Sequence, residues 1–213
     1  MKSLITLLLV CCLVTGAFAQ TNFEGVITYS SSYKSHMPHV TDDQITRYFG
    51  ATQLFYVKGA YSKYMYSDGR WLKWSLYLPM EKKVYEMQAK SDSVLWYSVT
   101  VDHDTITNTE LKRNDTTILG YPCDKLTFTC KDGVQIYYFN AKFAVDPALY
   151  ADFKEVNYYA YLNIAKAVAL KVVFSGRDFT ETMIATEVKP MPLDDQLFVL
   201  PLDIKIGKYK ERQ

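Results

Sequence analysis

No phosphate-binding P-loop, G-x-G-x-x-G, H-E-x-x-H, C-x-x-C or EF-hand pattern occurs in this sequence. These are the spacings that build nucleotide, zinc, dithiol and calcium sites. A G-x-S-x-G elbow is missing as well, and with it the usual frame of a serine hydrolase. Apolar runs are all shorter than the ~20 residues needed to cross a bilayer as a helix. Internal repeats and low-complexity linkers are also lacking.

What is present begins with MKSLITLLLVCCLVTGAFAQ. Lys2 supplies a positive n-region, Leu4–Val14 an apolar h-region, and Ala17-Phe18-Ala19 an A-x-A cleavage site, so residues 1–19 read as a signal peptide. Bulky Leu9 and Val10 before Cys11 and Cys12 argue against a lipid anchor. The expected product starts at Gln20 and is exported, to the periplasm or beyond, with no transmembrane segment. Of 24 basic residues only Lys2 leaves with the signal, and the remaining 23 balance 23 acidic residues. A net charge of zero steers the mature chain toward neither nucleic acid nor an anionic membrane surface.

Cleavage leaves Cys123 and Cys130. If both lie on one extended strand they stand roughly 23 Å apart at about 3.3 Å per residue. A disulfide needs Cα atoms within about 7 Å, so no bond is expected between them.

The clearest hairpin is Ile118–Phe139. Leu126, Phe128 and Cys130 alternate with polar residues, and Val134, Ile136 and Tyr138 alternate after Lys131-Asp132-Gly133. A three-residue loop with left-handed Gly133 would pair Cys130 with Val134 and Phe128 with Ile136, keeping one face apolar. The same argument at Ser67-Asp68-Gly69 pairs Tyr66 with Arg70 and Tyr64 with Leu72. It places Leu72, Trp74, Leu76 and Leu78 on the face of Tyr64 and Tyr66, with Trp71 and Tyr77 opposite.

Further strands are expected at Phe23–Lys34, Gln53–Lys58, Tyr61–Tyr66, Lys82–Gln88, Val94–Val101, Thr105–Leu111, Ala169–Phe174 and Thr180–Lys189. Thr41 and Gln44 fit a capping box for a short helix closed by Gly50. Asp146-Pro147 starts a second helix near 147–160, with Leu149, Phe153 and Val156 at helical spacing. Pro190 and Pro192 end the ladder, since neither donates an N–H. The expected fold is mainly β with minor α: an open, curved antiparallel half-barrel forming one domain over 20–207, then a basic tail at 208–213.

Four stretches carry a family resemblance. Ile118-Leu119-Gly120-Tyr121-Pro122-Cys123-Asp124-Lys125, followed by Asp132-Gly133, resembles an I-x-G-Y-x-C-x-K signature in a family of small secreted bacterial proteins of unknown function. Phe23–Tyr29 is similar to that family's F-x-G-x-I-x-Y opening, Tyr56–Gly59 to its Y-x-K-G, and Leu193–Pro201 to its closing D-x-x-F-x-x-P. The family resembles the LolA/LolB group of periplasmic lipoprotein carriers, which implies a half-barrel with helices across its mouth. A related group has Gly-Leu-Pro-Gly-Leu-Ile before its late strands, where this chain has Asn163-Ile164-Ala165-Lys166-Ala167-Val168. The carriers' transfer residues have no counterpart that can be placed here.

Candidate chemistry is sparse. His36-Met37-Pro38-His39 with Asp42 and Asp43 lacks a third ligand, and Asp102-His103-Asp104 reads as a turn. Cys123 has Asp124 beside it, which raises rather than lowers a thiol pKa. No catalytic, cofactor or metal site is expected. Aromatic crowding in one hairpin points instead to a concave face for a lipid, acyl chain or other hydrophobe. Its candidate lining is Tyr64, Tyr66, Leu72, Trp74, Leu76, Phe128, Ile136 and Tyr138. The alternatives are an envelope protein that binds a protein partner, its interior filled by its own side chains, and an unrecognised hydrolase.

Overall fold

Ile27, Tyr29, Ser31 and Tyr33 point inward at alternate positions of strand β1 (Gly25–Ser35). That period-2 pattern organises the whole molecule. The computed structural model describes residues 22–209 except His103, so the expected signal peptide and residues 210–213 lie outside the described residues. After β1 come helix α1 (Asp42–Phe49) and strands β2 (Thr52–Lys58), β3 (Tyr61–Tyr66), β4 (Leu72–Leu78), β5 (Lys83–Gln88) and β6 (Ser93–Ser98). The second half holds β7 (Ile106–Ile118), β8 (Tyr121–Cys130), β9 (Val134–Ala144), α2 (Tyr158–Ala165), β10 (Ala167–Ser175), β11 (Phe179–Pro190) and β12 (Lys205–Lys208).

All twelve strands form one open sheet, ordered β12-β6-β5-β4-β3-β2-β1-β11-β10-β9-β8-β7. Every pairing is antiparallel except β12 with β6. The fold is therefore mainly β with two α-helices, as the strand pattern implies. Two meanders, β2–β6 and β7–β11, are joined where β1 takes β2 on one side and β11 on the other. The inner face carries the main core, which includes Ile27, Phe55, Val57, Leu126, Phe128, Tyr137, Phe139 and Met183.

Helix α1 forms as its caps dictate. Thr41 Oγ1 accepts from Gln44 N at 3.2 Å, and Gln44 Oε1 accepts from Thr41 N at 2.8 Å. Gly50, at φ 95°, ends the helix and passes the chain into β2 in a conformation that side chains resist.

Three expectations need correction. The hairpin of β8 and β9 pairs Thr129 with Val134, Phe128 with Gln135 and Leu126 with Tyr137. Its loop has four residues, closed by Cys130 N donating to Gly133 O at 2.8 Å. Cys130 therefore does not pair with Val134, nor Phe128 with Ile136. A one-residue slip reverses every side chain of a strand, and β9 turns Gln135, Tyr137 and Phe139 inward.

The hairpin of β3 and β4 is displaced by three residues, an odd number that again reverses the faces, with Tyr64 opposite Ser75 and Met65 opposite Trp74. Its connection is not a free turn. Arg70 N and Trp71 N both donate to Tyr48 O, and Asp68 Oδ1 accepts from Ala51 N and Thr52 N. The loop docks so closely on the end of α1 that a Cβ on Gly69 would sit 2.5 Å from Phe49 O. Tyr64 and Tyr66 thus share a face with Ser75 and Tyr77, while Trp74, Leu76 and Leu78 face outward.

The third correction concerns 147–160, which is not one helix. Asp146 caps a single 3-10 turn at Pro147–Tyr150, a second turn spans Glu155–Asn157, and α2 follows. Val156 and Asn157 have φ of 49° and 59°, so a continuous helix cannot run through them. Leu149 and Val156 are exposed, and Tyr150 is the buried anchor instead.

The outer face of β3–β6 has its own small core. Trp74, Leu76, Tyr85 and Val94 lie beneath Leu193 and Phe198 of the chain after β11. Lys58 Nζ donates to Leu193 O at 2.6 Å and pairs with Asp195 at 2.7 Å, and Lys63 Nζ donates to Leu197 O at 2.9 Å. The chain then enters β12. Lys208 is part of that strand rather than of a tail, and Tyr209 Oη donates to Glu86 Oε2 at 2.7 Å.

Candidate functional site

Inward parity brings rings from eight strands around a cavity of about 590 Å³. Phe55 and Tyr64 stack face to face at 4.2 Å in its wall, with Tyr66 6.2 Å beyond Tyr64. Tyr48 and Phe49 of α1 and Trp71 of the docked loop line one region. Phe153, Val156 and Tyr158, from the broken segment before α2 and its first residue, line another. The polar lining is Gln53, Ser62, Ser75, Glu86 and Glu181, and no lining residue is basic.

Burial makes the phenols of Tyr64, Tyr66, Tyr77 and Tyr97 weaker acids. Tyr64, Tyr66 and Tyr97 are held well above the ordinary tyrosine range, chiefly by desolvation, and Tyr77 is pushed up to about 12. These hydroxyls stay neutral in any ordinary buffer.

Glu181 is the exceptional group. Its Oε1 accepts from Tyr33 Oη at 2.9 Å and from Gln53 Nε2 at 3.3 Å. Desolvation nevertheless outweighs these hydrogen bonds and raises its pKa above the ordinary 4.5. The folded state then holds this proton more tightly than the unfolded chain. Its contribution to stability is complete below about pH 4.5 and is lost as pH rises through the raised folded value. Thermal melts of Glu181→Gln against pH should lack that loss. Parallel profiles for the two proteins would refute a buried, titrating carboxyl.

Of the residues expected from sequence to line a ligand face, Tyr64 and Tyr66 do line the cavity. Trp74 and Leu76 lie in the outer core, and Leu72 is buried outside the cavity lining. Phe128 is inward but packed in the filled half, 6.1 Å from the Tyr137 ring. Ile136 and Tyr138 face outward, with Lys171 Nζ 5.0 Å over the Tyr138 ring. Sequence reasoning missed Phe55, Tyr77, Tyr137, Glu86 and Glu181. A signal existed in β11, where Phe179, Glu181, Met183 and Ala185 occupy alternate positions, an apolar face interrupted by one acid.

The other candidates are structural. His36 Nδ1 lies 3.1 Å from Gly176 O and Nε2 3.1 Å from Thr180 Oγ1. Asp104 N donates to Asp102 Oδ1, and Asp132 N to Asp104 Oδ1, which stitches a turn; His103 lies outside the described residues. Cys123 and Cys130 are unbridged and buried. Desolvation raises both thiols, Cys130 to about 11, the reverse of an activated nucleophile. Among the described residues no cluster of His, Cys, Asp and Glu is disposed to hold a metal.

Solved structures of similar chain course include two proteins matched over most of their length and part of a larger one. The LolA superfamily protein NE2245 from Nitrosomonas europaea shares 10% identity over 86% of this chain and 92% of that one, with a TM-score of 0.38. This chain is structurally similar to a LolA superfamily protein. An uncharacterized conserved protein from Thermus thermophilus matches at 10% identity over 85% of this chain and 90% of its own, with a TM-score of 0.48. PNGF-II matches at 13% identity over 86% of this chain and 31% of its own, with a TM-score of 0.39. No protein-family model and no curated protein sequence matches.

Proposed function

We propose that this is an exported, non-enzymatic envelope protein that binds a lipid or other hydrophobic ligand within its curved sheet. The observation that carries the reading is the cavity. Its volume, about 590 Å³, falls in the ~300–1,000 Å³ range of small-molecule sites. Rings dominate its wall, and a few polar groups interrupt them, which is the composition that binds an apolar body and fixes its orientation. The sequence supports export through Lys2, Leu4–Val14 and Ala17-Phe18-Ala19.

A second reading has support in one half of the sheet. Over β8–β10 the concavity is filled by Tyr161, stacked on Tyr137 at 4.1 Å, and by Leu162 and Ala165. An envelope protein that only binds partners would have such an interior throughout.

Native mass spectrometry of protein purified from an exporting host without detergent separates the two. The expected result is a chain beginning at Gln20 that carries an adduct extractable into organic solvent. Ser62→Phe, which puts a ring into the cavity, should abolish the adduct. A clean apo mass, unchanged after incubation with phospholipids and acyl chains, would defeat ligand binding and leave the partner-binding role.

A further inference from the structure

The cavity wall holds two acids and no base, and its Glu181 is only half satisfied. Both hydrogen bonds to this carboxyl fall on Oε1. Among the described residues Oε2 accepts none, and no cation pairs with the group. Neither oxygen is sealed into the protein, for Glu181 lines the open cavity. Phe179 precedes it by two positions on the same face, and Tyr33 lies directly opposite on β1. The Phe49 ring is 5.4 Å from that of Tyr33 and 5.2 Å from that of Phe179. Aromatic faces carry negative charge density and attract cations, most strongly where water is excluded.

Three head groups can be weighed against this corner. A carboxylate would add a further acid to a wall that already holds two and offers no cation, a costly arrangement at low dielectric. An alcohol could donate one hydrogen bond to Oε2 but would leave the carboxylate's charge unneutralised and gain nothing from the rings. A protonated amine donates a charge-assisted hydrogen bond, neutralises the carboxylate and meets the ring faces together. We propose that the cavity takes a hydrophobic ligand bearing a protonated amine, its ammonium bound to Glu181 Oε2 beside the Tyr33, Phe49 and Phe179 rings. The chain of such a ligand lies along the Phe55, Tyr64 and Tyr77 wall. This inference rests on the reading of the cavity as a ligand site.

The test is calorimetric titration of the full mature chain with decylamine, decanol and decanoate, each below micellisation, at pH 7.5. Decylamine should bind at least about tenfold more tightly than decanol, in keeping with hydrogen bonds to charged groups. Decanoate should bind weakest. Glu181→Gln should erase the amine's advantage and leave decanol unchanged.

A pH series on the unsubstituted protein provides the same test without a variant. Tyr33, Tyr64 and Tyr66 face Glu181 from β1 and β3 and stay neutral, since burial raises all three. Glu86 on β5 lies beyond Tyr66. As pH falls and Glu181 takes its proton, the amine's affinity should drop toward that of decanol. Decanoate binding as tightly as decylamine, or an amine preference that survives Glu181→Gln, would overturn the proposal. If all three ligands bind equally, the cavity reading stands and the head-group proposal falls; if none binds, both fall.

Discussion

Tyr161→Ala should cost about 3–5 kcal/mol of folding stability, the range for deleting a fully buried aromatic. Tyr161 is 1% exposed and stacks on Tyr137 at 4.1 Å with an interplanar angle of 18°. Its hydroxyl donates to Ala167 O at 2.7 Å, tying the middle of α2 to the start of β10. Tyr161→Phe keeps the ring and strands only that carbonyl, so its cost should be about 1–2 kcal/mol. Urea unfolding with an unchanged m-value would give both figures. Because Tyr137 and Tyr158 line the cavity and both pack on Tyr161, hydrophobe binding should fall in the alanine variant. A loss of less than about 1 kcal/mol for Tyr161→Ala would mean that α2 is not what fills this half of the sheet.

Phe198→Ala should be destabilising on a similar scale, about 3–4 kcal/mol, with a different functional signature. Phe198 is 5% exposed, lies 5.8 Å from the Tyr61 ring, and with Leu193 closes over Trp74, Leu76, Tyr85 and Val94. The intact sheet separates this outer core from the cavity. Ligand affinity per folded molecule should therefore be retained, measured at a temperature where the variant is still native. Loss of affinity in step with Tyr161→Ala would show that the two faces are coupled through the sheet.

The strands were legible in the sequence because alternation is a local property. Gln53–Lys58 and Tyr61–Tyr66 come within a residue of β2 and β3, whereas Thr105–Leu111 ends seven residues before β7 does. The Thr41–Gln44 box fixed α1 for the same reason. Which face turns inward was not legible. Both registers expected from sequence keep polar side chains off the inner face, yet the inner face contains Gln135, Glu86 and Glu181. Gln135 is tolerated because Tyr137 Oη donates to its Oε1 at 3.3 Å. Trp74 and Leu76 are apolar and outward because a segment more than 100 residues later covers them. The loop at 67–71 takes its length from docking on α1, which no turn preference encodes. Tyr64 and Tyr66 were placed at the cavity by their strand alone, whereas Glu181 needed the partners that β1 and β2 supply.

The seam between β1 and β11 also sets an order of events. Gly25 pairs with Pro190 and Ser35 with Phe179, so the strand nearest the N-terminus gains its second neighbour only when almost the whole chain is available. The hairpins of β2–β6, β7–β9 and β10–β11 close short loops and can form early, while joining them through β1 pays the entropy of a loop of roughly 150 residues. Until that step, β1 is an unpaired edge able to accept a strand from another chain. Folding is therefore expected to be limited by formation of this seam, with aggregation as its competitor, and a chain emerging N-terminus first would be vulnerable for as long as β11 is delayed.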